Sequence, residues 1–408
     1  MNKLYCAYAR TYQFCFWVVE HFLNFDEPKY YSEPGSLKKV KDILYDEQIT
    51  SCLVITDNNL FKLGLLDSLL EDLDKAKIKY IVYHDVVPNP TVANAHEAYK
   101  LYLANNCKGL IAFGGGSSMD AAKAVGALVT TKNKPFKKLK GVLKIRKKIP
   151  TLIAIPTTAG TGSETTLAAV ISDPEHNDKY SIMDPVIIPK YAILDPTLLV
   201  NLPSKITSTT GMDALCHAVE AYIGRENTKK TKKYALEAIK LVYENLLPSF
   251  KDPQNLTYRE NMQIAAFKAG VAFTRAYVGY VHALAHSLGA VYNAPHGVAI
   301  AIIMPYVLQS YGKNAHKKLA EIYDYLGLED EAIKTTKQKA NFFIQIIIHL
   351  NKQMDIPANL NGIMEKKDIP LLAAHAAKEA NPLYPVPKIM NKKELACIYS
   401  KILKAKYI

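Results

Sequence analysis

The chain has 408 residues, of which 49% are hydrophobic and 22% are charged, a balance typical of globular proteins with a substantial core. Its apolar runs are all too short to cross a bilayer as a helix, so we do not expect a membrane-spanning helix. The net charge of +13 is spread along the sequence, and the densest basic stretch (132–148) lacks the aromatic interleaving of a single-strand binder. Composition therefore disfavours nucleic acid and membranes as partners.

The N-terminal segment is apolar between residues 14 and 19, and Glu20 and His21 follow at once. No small-residue cleavage site is evident, so we interpret it as a packed amphipathic segment and not as a signal peptide. Six cysteines are scattered along the chain without a CxxC pair. Such spacing is typical of a reducing compartment, and we expect the protein in the cytoplasm.

Strand-like and helix-like segments alternate through the first half of the chain. Short apolar runs end in polar residues or glycine, and segments with helical apolar spacing follow them. This alternation predicts a parallel sheet covered by helices, a Rossmann-like α/β fold. The expected strands are 51–57, 80–86, 109–116, 151–158 and 191–196, and the expected helices are 61–76 and 92–105.

After about residue 205 the strand-like runs become rare and long helical patterns dominate. The stretch NLPSKITSTTG (201–211), rich in Ser, Thr and Pro, marks the boundary. The sequence therefore predicts an α/β dinucleotide-binding domain over residues 1–205 and an all-helical domain over residues 206–408.

The segment GLIAFGGGSSMDAAKAVG (109–126) predicts a strand, a glycine turn and a helix start. We expect Ser117 to cap this helix, with Asp120 completing a capping-box-like pattern. Free N–H groups at such a helix end suit a pyrophosphate. A structural glycine turn is the alternative, because the pattern is not GxGxxG. A second loop, PTTAGTGSE (156–164), also follows a strand and exposes further backbone donors.

The run SCLVITD places Asp57 at the end of a predicted strand. An acid in this position can accept hydrogen bonds from a ribose diol, and its charge would repel a 2′-phosphate. The alternative is a cap for the next helix. Together with the two glycine-containing loops, Asp57 favours a dinucleotide, and NAD over NADP.

The segment GMDALCHAVEAY carries Asp213 and His217 at i and i+4, which places both on one face of a helix. His282 and His286 have the same spacing, and His296 follows a predicted turn at NAPHG. A lone histidine on a helix is usually structural. One acid and several imidazoles in a helical domain instead indicate a metal site.

Carboxylate and imidazole ligands suit Fe²⁺ or Zn²⁺ and poorly suit Mg²⁺ or Ca²⁺. Spacing leaves open which of the three later histidines bind, and on its own it favours His282 with His286. Cys216 adjoins His217, but on a helix it points about 100° away. We therefore do not count this thiol as a ligand.

The motifs GGGSSMD, PTTAGTGSE, GMDALCHAVEAY and VHALAHSLGAVYNAPHG resemble those of the iron-containing, or group III, alcohol dehydrogenases. The resemblance runs from about residue 30 to the C-terminus. It implies an N-terminal dinucleotide-binding domain, a C-terminal helical metal-binding domain and an active site in the cleft between them. It also implies a homodimer or larger assembly that acts on a small alcohol or aldehyde.

The resemblance further implies the roles of individual residues. The metal would be held by Asp213, His217, His282 and His296, which differs from the pair that spacing alone favours. His286 would then be unligated, near the nicotinamide and the substrate. The residues placed at NAD are Asp57, Asn89, Gly116, Ser117, Ser118, Met119, Asp120, Thr157, Thr158, Ala159, Gly160, Thr161, Val170 and Lys179.

The implied chemistry is Lewis-acid catalysis, in which the metal lowers the pKa of the alcohol and the alkoxide transfers a hydride to the nicotinamide. Imidazoles exchange protons near neutral pH, so His286 suits a proton relay. A packed, hydrogen-bonded His286 without such a role is the alternative.

Glycerol dehydrogenases and dehydroquinate synthases share this plan and are alternative enzymes; a basic nucleic-acid-binding protein is the non-enzymatic alternative. The sequence departs from many family members at FTRAYVGYVHA (273–283), where Arg275 and Tyr277 are bulky, and at ANPLYPVPK (380–388). These departures leave the alcohol open among primary alcohols, diols and lactaldehyde-type substrates.

Overall fold

A computed structural model describes residues 2–20, 23, 25–176 and 178–407. Within these residues the chain forms nine strands and sixteen α-helices. The strands are β1 (Lys29–Tyr31), β2 (Ser51–Ile55), β3 (Lys79–Tyr83), β4 (Gly109–Gly114), β5 (Gly141–Val142), β6 (Leu152–Pro156), β7 (Ala168–Asp173), β8 (Asp178–Met183) and β9 (Tyr191–Ile193). The helices are α1 (Lys3–Glu20), α2 (Lys39–Asp46), α3 (Asn58–Lys62), α4 (Asp67–Lys75), α5 (Val92–Ala104), α6 (Gly116–Thr131), α7 (Phe136–Leu139), α8 (Ser204–Ile223), α9 (Lys229–Lys251), α10 (Leu256–Ala276), α11 (Tyr280–Tyr292), α12 (His296–Tyr311), α13 (Lys313–Tyr325), α14 (Thr336–Gln353), α15 (Ile369–Ala380) and α16 (Lys392–Ile402).

Six strands form a parallel sheet in the order β1-β9-β6-β4-β2-β3. Every residue of β2, β4 and β6 is buried, because continuous apolar runs suit strands that are covered on both faces. Buried aliphatic clusters pack on both sides of this sheet. The predicted parallel sheet is confirmed, although its strands end two or three residues earlier than expected.

A smaller sheet has the order β5-β8-β7, with β7 and β8 antiparallel. The sequence analysis missed these strands and β1, because no continuous apolar run marks them. Buried and exposed residues mix along β7 and β8, and the short strands β1 and β5 contain no buried residue. The basic stretch 132–148 contributes α7 and β5. Its apolar residues Phe136, Leu139 and Ile145 are buried, so this stretch is partly core.

The single helix predicted over 61–76 is wrong. Helix α3 ends at Lys62 and α4 begins at Asp67, and Gly64 lies between them with a φ of 67°. This left-handed conformation is easily reached only by glycine and ends a helix. The helix expected at 92–105 is confirmed as α5, which begins at a capping box on Thr91.

Contacts group the described residues into two units. The helical unit comprises residues 1–23, 203–252 and 271–408, as far as they are described, and the α/β unit comprises the remaining residues, including 253–270 from the first turns of α10. The predicted fold class, a parallel-sheet α/β part and a helical part, is confirmed. The domain limits 1–205 and 206–408 stay a prediction.

Polar caps define the starts of several helices in the helical unit. Thr228, Thr335 and Asn391 begin α9, α14 and α16 with capping boxes, in which side chain and backbone exchange hydrogen bonds. In the part of the chain that the structure describes, we find no helix with the length and apolarity that a bilayer crossing requires.

Candidate active site

Helix α8 carries the first two residues of a polar cluster in an otherwise apolar setting. Asp213 and His217 are only 3% and 6% exposed, and His217 Nδ1 lies 4.0 Å from Asp213 Oδ1. The i,i+4 spacing places them on one face, as the sequence predicts. The ring of His217 stacks on Phe273, with ring centroids 4.1 Å apart. An apolar neighbour of this kind holds the imidazole in one orientation.

Helices α11 and α12 add two imidazoles to the same aspartate. His282 Nε2 lies 3.6 Å from Asp213 Oδ1, and His296 Nε2 lies 3.4 Å from the same oxygen. The rings of His217 and His282 have centroids 4.4 Å apart. One donor atom each from Asp213, His217 and His282 fall within 4.8 Å of one another, a separation that a single metal ion can bridge. The structure thus brings together the carboxylate and three of the imidazoles that the sequence pointed to.

Two buried atoms at the centre of this cluster make no hydrogen bond within the part of the chain that the structure describes. Asp213 Oδ1 and His282 Nε2 are buried and have no hydrogen-bond partner among the described residues. Burying a polar atom without a hydrogen bond or a bound ion costs free energy. A divalent cation with a preference for nitrogen and oxygen donors fits them, so the residues present suit Fe²⁺ or Zn²⁺.

Charge in the cluster also favours a cation. Burial alone raises the pKa of Asp213, but the imidazoles of His217, His296 and His282 outweigh it and hold the pKa well below its ordinary value. The carboxylate is therefore anionic. For His282, burial lowers the pKa, yet its acidic neighbours raise it well above the ordinary value. Both shifts show that positive charge is stabilised at this position.

Glu220 holds His282 in place by a hydrogen bond, and the sequence analysis did not identify it. Its carboxylate accepts a hydrogen bond from His282 Nδ1 at 2.6 Å and others from the backbone N–H groups of Gly279 and Val281 at 2.7 and 2.8 Å. A Cβ on Gly279 would meet Glu220 at 2.6 Å, which explains the glycine. Glu220 lies one turn beyond His217 on the same face of α8, and this spacing is the signal that could have found it.

Cys216 is buried beside the cluster, with Sγ 3.9 Å from His282 Nδ1. Burial raises the pKa of its thiol to about 12. The thiol lies on the Nδ1 side of His282, whereas Nε2 of this ring faces Asp213. That Cys216 is not a ligand stays a prediction.

His286 lies one turn further along α11 and has a different environment. Its ring centroid is 5.9 Å from that of His282 and 5.3 Å from that of His296, and 45% of its side chain is exposed. His286 Nδ1 lies 2.7 Å from Glu379 Oε1. This imidazole is therefore bonded to a carboxylate and accessible, whereas His282 is enclosed.

The glycine turn of the α/β unit leads directly into α6. The N-cap is Gly115 and makes no side-chain hydrogen bond, so the expected cap at Ser117 is wrong: Ser117 lies within the first turn. Asp120 does not complete a capping box either. The N–H groups of this first turn carry no side-chain cap, which leaves them suited to a phosphate.

The second glycine-containing loop lies against that turn. A Cβ on Gly116 would lie 3.2 Å from Thr161 Cγ2, and one on Gly115 would lie 3.6 Å from Thr158 Oγ1. Thr157 N donates to Gly114 O at 3.1 Å, which links the loop to the end of β4. The structure thus brings the predicted cofactor residues 116–120 and 157–161 together at the carboxyl edge of the sheet, the edge where such sheets bind ligands.

Side chains beneath this edge form a scaffold. Asp120 accepts hydrogen bonds from Ser163 Oγ and Val170 N, both at 3.0 Å. Lys123, fully buried, places Nζ within 3.0 Å of four oxygens. These oxygens are Ser163 O, Ser163 Oγ, Thr166 Oγ1 and Ala168 O. Burial lowers the pKa of Lys123 to about 8, despite the opposing charges of Asp120 and Glu164. Sequence reasoning did not single out Lys123.

The remaining predicted cofactor residues surround the same edge. Asp57 lies two residues after β2 and is the N-cap of α3, accepting from Asn59 N and Leu60 N. The cap interpretation is thus correct, and contact of this partly exposed side chain with a ribose stays a prediction. Asn89 is exposed with a φ of 58°, two residues before Thr91, whose backbone pairs with β7. Lys179 lies on β8, and Val170 on β7 is 38% exposed.

Comparison with known proteins agrees with this geometry. Residues 27–196 match the model of the iron-containing alcohol dehydrogenases, and residues 207–403 match the C-terminal model of the same family. The two matches cover most of the chain. The chain belongs to the iron-containing alcohol dehydrogenase family.

Individual members of the family are similar over most of their length. Alcohol dehydrogenase 4 of Saccharomyces cerevisiae is 34% identical over 370 residues, covering 90% of this chain and 94% of that protein. The 1,3-propanediol dehydrogenase of Citrobacter freundii is 35% identical over 351 residues, covering 85% and 90%.

Solved structures show the same likeness. The crystal structure of a 1,3-propanediol oxidoreductase has a TM-score of 0.88 at 32% identity, over 93% of this chain and 100% of that one. Sulfoacetaldehyde reductase from Bifidobacterium kashiwanohense, in complex with NAD⁺, has a TM-score of 0.83 at 26% identity, over 93% and 98%. Family membership makes this chain an oxidoreductase, a metal-dependent NAD(H) alcohol dehydrogenase or aldehyde reductase.

Proposed function

We propose that the protein interconverts a small primary alcohol and its aldehyde, with NAD(H) as hydride carrier and a divalent metal held by Asp213, His217, His282 and His296. The observation that carries this proposal is the buried meeting of one carboxylate and several imidazoles around Asp213 Oδ1, an atom with no hydrogen-bond partner among the described residues. Both the ligand set and the role of His286 are part of the proposal.

When bound, the metal withdraws electron density from the alcohol oxygen and lowers its pKa, and NAD⁺ accepts the hydride that leaves the carbinol carbon. The protein's own contribution is to hold the donor atoms in place. Glu220 accepts a hydrogen bond from Nδ1 of His282, which leaves the lone pair of Nε2, on the side of Asp213, available to a metal. Phe273 fixes the ring plane of His217.

His286 is suited to move the proton that alcohol oxidation releases. Its Nδ1 is occupied by Glu379, so Nε2 is the nitrogen able to take a proton. Nearly half of the side chain is exposed, which gives a taken-up proton a route to water. The enclosed His282 has neither property.

We propose Fe²⁺ as the native metal, with Zn²⁺ as the alternative, because both accept the same nitrogen and oxygen donors. We propose NAD over NADP, because Asp57 follows the carboxyl end of β2, the strand that pairs in parallel with β4, and the glycine turn follows β4. Its negative charge disfavours a 2′-phosphate. The cofactor residues given in the sequence analysis are part of this proposal.

The substrate belongs to the class of short primary alcohols, diols or hydroxyaldehydes. Two similar proteins carry names for 1,3-propanediol chemistry, which supports a small, oxygen-rich substrate. The bulky Arg275 lies in the last turn of α10, and Tyr277 lies between α10 and α11. Tyr277 packs on Phe16 with ring centroids 6.3 Å apart. A homodimer or larger assembly in the cytoplasm is the expected setting of the reaction.

The test combines metal analysis with a substrate panel. Protein purified without chelators and without oxygen is analysed for iron and zinc, then stripped and reloaded with either metal. Absorbance at 340 nm is followed with NADH and a panel of short aldehydes, and with NAD⁺ and the matching alcohols. We expect metal-dependent turnover with at least one pair. Equal turnover by stripped and reloaded protein would contradict the proposal.

A further inference from the structure

Three side chains form a hydrogen-bonded series that starts at His286. Glu379 Oε1 lies 2.7 Å from His286 Nδ1, and Tyr384 OH donates to the same oxygen at 2.9 Å. Burial raises the pKa of Glu379, but the charge and hydrogen bonds of its neighbours outweigh it and leave the pKa below its ordinary value. Glu379 is therefore an anionic acceptor for both groups.

A carboxylate on one ring nitrogen decides the tautomer of a histidine. Because Glu379 can only accept, His286 must carry its proton on Nδ1 when it is neutral. Nε2 is then unprotonated and able to take a proton. Without the carboxylate, an exposed imidazole favours the opposite tautomer, with Nε2 protonated and unable to accept. The hydrogen bond therefore sets which nitrogen is ready for proton transfer.

Tyr384, which donates to Glu379, belongs to the segment 382–387, and α1 makes hydrogen bonds to this segment. Gln13 Nε2 donates to Pro382 O and Tyr384 O at 2.7 and 2.8 Å, and Arg10 Nη2 donates to Val386 O at 2.9 Å. Gln13 is only 3% exposed. Helix α1 lies outside the residues that the family model matches, which begin at residue 27.

We propose that Glu379 is a positioning residue that fixes the Nδ1-protonated tautomer of His286, with Tyr384 and helix α1 holding Glu379 in place. The inference rests on the proposed role of His286 in proton transfer. Glu379 itself touches neither metal nor substrate in this assignment. Its contribution is to the turnover number, and binding of metal and cofactor is independent of it.

The tautomer is measured directly by two-bond ¹H–¹⁵N correlation spectra of histidine-labelled protein. Zinc-loaded protein is used, since zinc is diamagnetic, at a pH where imidazole is neutral. The His286→Gln variant identifies the signals of His286 by their loss. We expect the Nδ1-protonated form in the wild type and a change toward the Nε2-protonated form in Glu379→Leu.

Kinetics supply the second readout. We expect Glu379→Leu to lower kcat by about 10- to 100-fold, the usual effect of removing a partner that orients a functional histidine, with KM for NAD⁺ and zinc content unchanged. Glu379→Gln retains an oxygen that can accept from Nδ1 and should recover most of both the tautomer and kcat. Glu331→Leu, which removes an exposed carboxylate in the same unit, is the matched control and should behave as the wild type.

Two outcomes overturn the inference. One is an Nε2-protonated His286 in the wild type, a result that needs no variant to fold. The other is a Glu379→Leu protein with the wild-type tautomer and a kcat within twofold of the wild type. Failure of the proposed function looks different: the wild type shows the expected tautomer, with or without zinc, but no turnover of any alcohol or aldehyde.

Discussion

The metal cluster of the helical unit and the glycine-turn edge of the α/β unit are built on opposite principles. In the cluster, side chains converge on one point. Two of their buried atoms, Asp213 Oδ1 and His282 Nε2, have no hydrogen-bond partner among the described residues. At the edge, backbone N–H groups are presented, and the side chains beneath them, Asp120 and Lys123, are satisfied by the protein itself.

The difference shows what each region needs from its ligand. A cation bound at the cluster would satisfy these buried atoms, so we expect metal binding and stability to be coupled there. The edge is complete without a ligand, because its scaffold residues bond to one another and hold the loops. Substitutions should therefore act on metal content in the first region and on the stability of the fold in the second.

The largest effect is expected at the metal ligands. His282→Ala or His296→Ala removes a donor that the remaining residues do not replace, so metal content and turnover should be lost together. We expect metal affinity to fall by more than about 100-fold, beyond the usual effect of losing an outer partner. Metal analysis after gel filtration and the 340 nm assay measure both. His375→Ala, an exposed histidine on α15, is the control. Normal kcat in metal-free His282→Ala protein would remove the basis of the comparison.

A large loss of stability is expected at Lys123. Lys123→Met keeps the length of the side chain but leaves Asp120 and Glu164 buried without their counter-charge, a change that costs about 3–5 kcal/mol. The apparent melting temperature should fall, and binding of NAD⁺ should weaken as the loops loosen, while metal content persists. Lys138→Met, an exposed lysine on α7, should change neither. An unchanged melting temperature for Lys123→Met would show that the scaffold is not needed.

A moderate effect is expected on cofactor choice. Asp57→Ser retains a side-chain oxygen for the N-cap of α3 and removes the charge that repels a 2′-phosphate. The ratio of kcat/KM for NADP⁺ to that for NAD⁺ should rise about tenfold, the effect of about 1.4 kcal/mol of charge repulsion. Asp57→Gly should shift the ratio in the same direction. If the ratio is the same in all three proteins, Asp57 does not meet the ribose.

The smallest effect is expected at Cys216. Cys216→Ala removes a buried neutral thiol and leaves a small cavity, with a cost of about 1 kcal/mol. Metal content and turnover should stay at wild-type levels, because the thiol is not a ligand. Loss of metal in Cys216→Ala would place a thiolate in the first coordination shell and revise the ligand set.

Local patterns predicted much of the fold and the cluster. The buried strands β2, β4 and β6 are continuous apolar runs, and such runs reveal themselves in sequence. The proximity of Asp213 and His217 could be predicted, because helical periodicity determines which residues share a face. The hairpin of β7 and β8 was not readable, since its burial alternates imperfectly around a polar turn.

Long-range partners could not be predicted from local patterns. Spacing on α11 favoured His282 and His286 as a pair of metal ligands. In the structure His282 contacts Asp213 and Glu220. His286 instead forms a hydrogen bond with Glu379, 93 residues away. Only the family resemblance separated these two histidines in advance. The metal assignment itself stays a prediction, which the ligand variants test.

The hydrogen bonds of Arg10 and Gln13 join positions that are 376 and 369 residues apart. On the ribosome, the first helix therefore emerges long before the segment that receives it. All residues of the α/β unit have been synthesised once the chain reaches residue 270, whereas the helical unit is complete only near the end of synthesis. Throughout that interval an aromatic-rich helix, with Tyr8 and Phe14 on its surface even in the finished protein, has no native partner at 382–387. Nascent chains stalled before residue 382 should depend more strongly on chaperones than the released protein does.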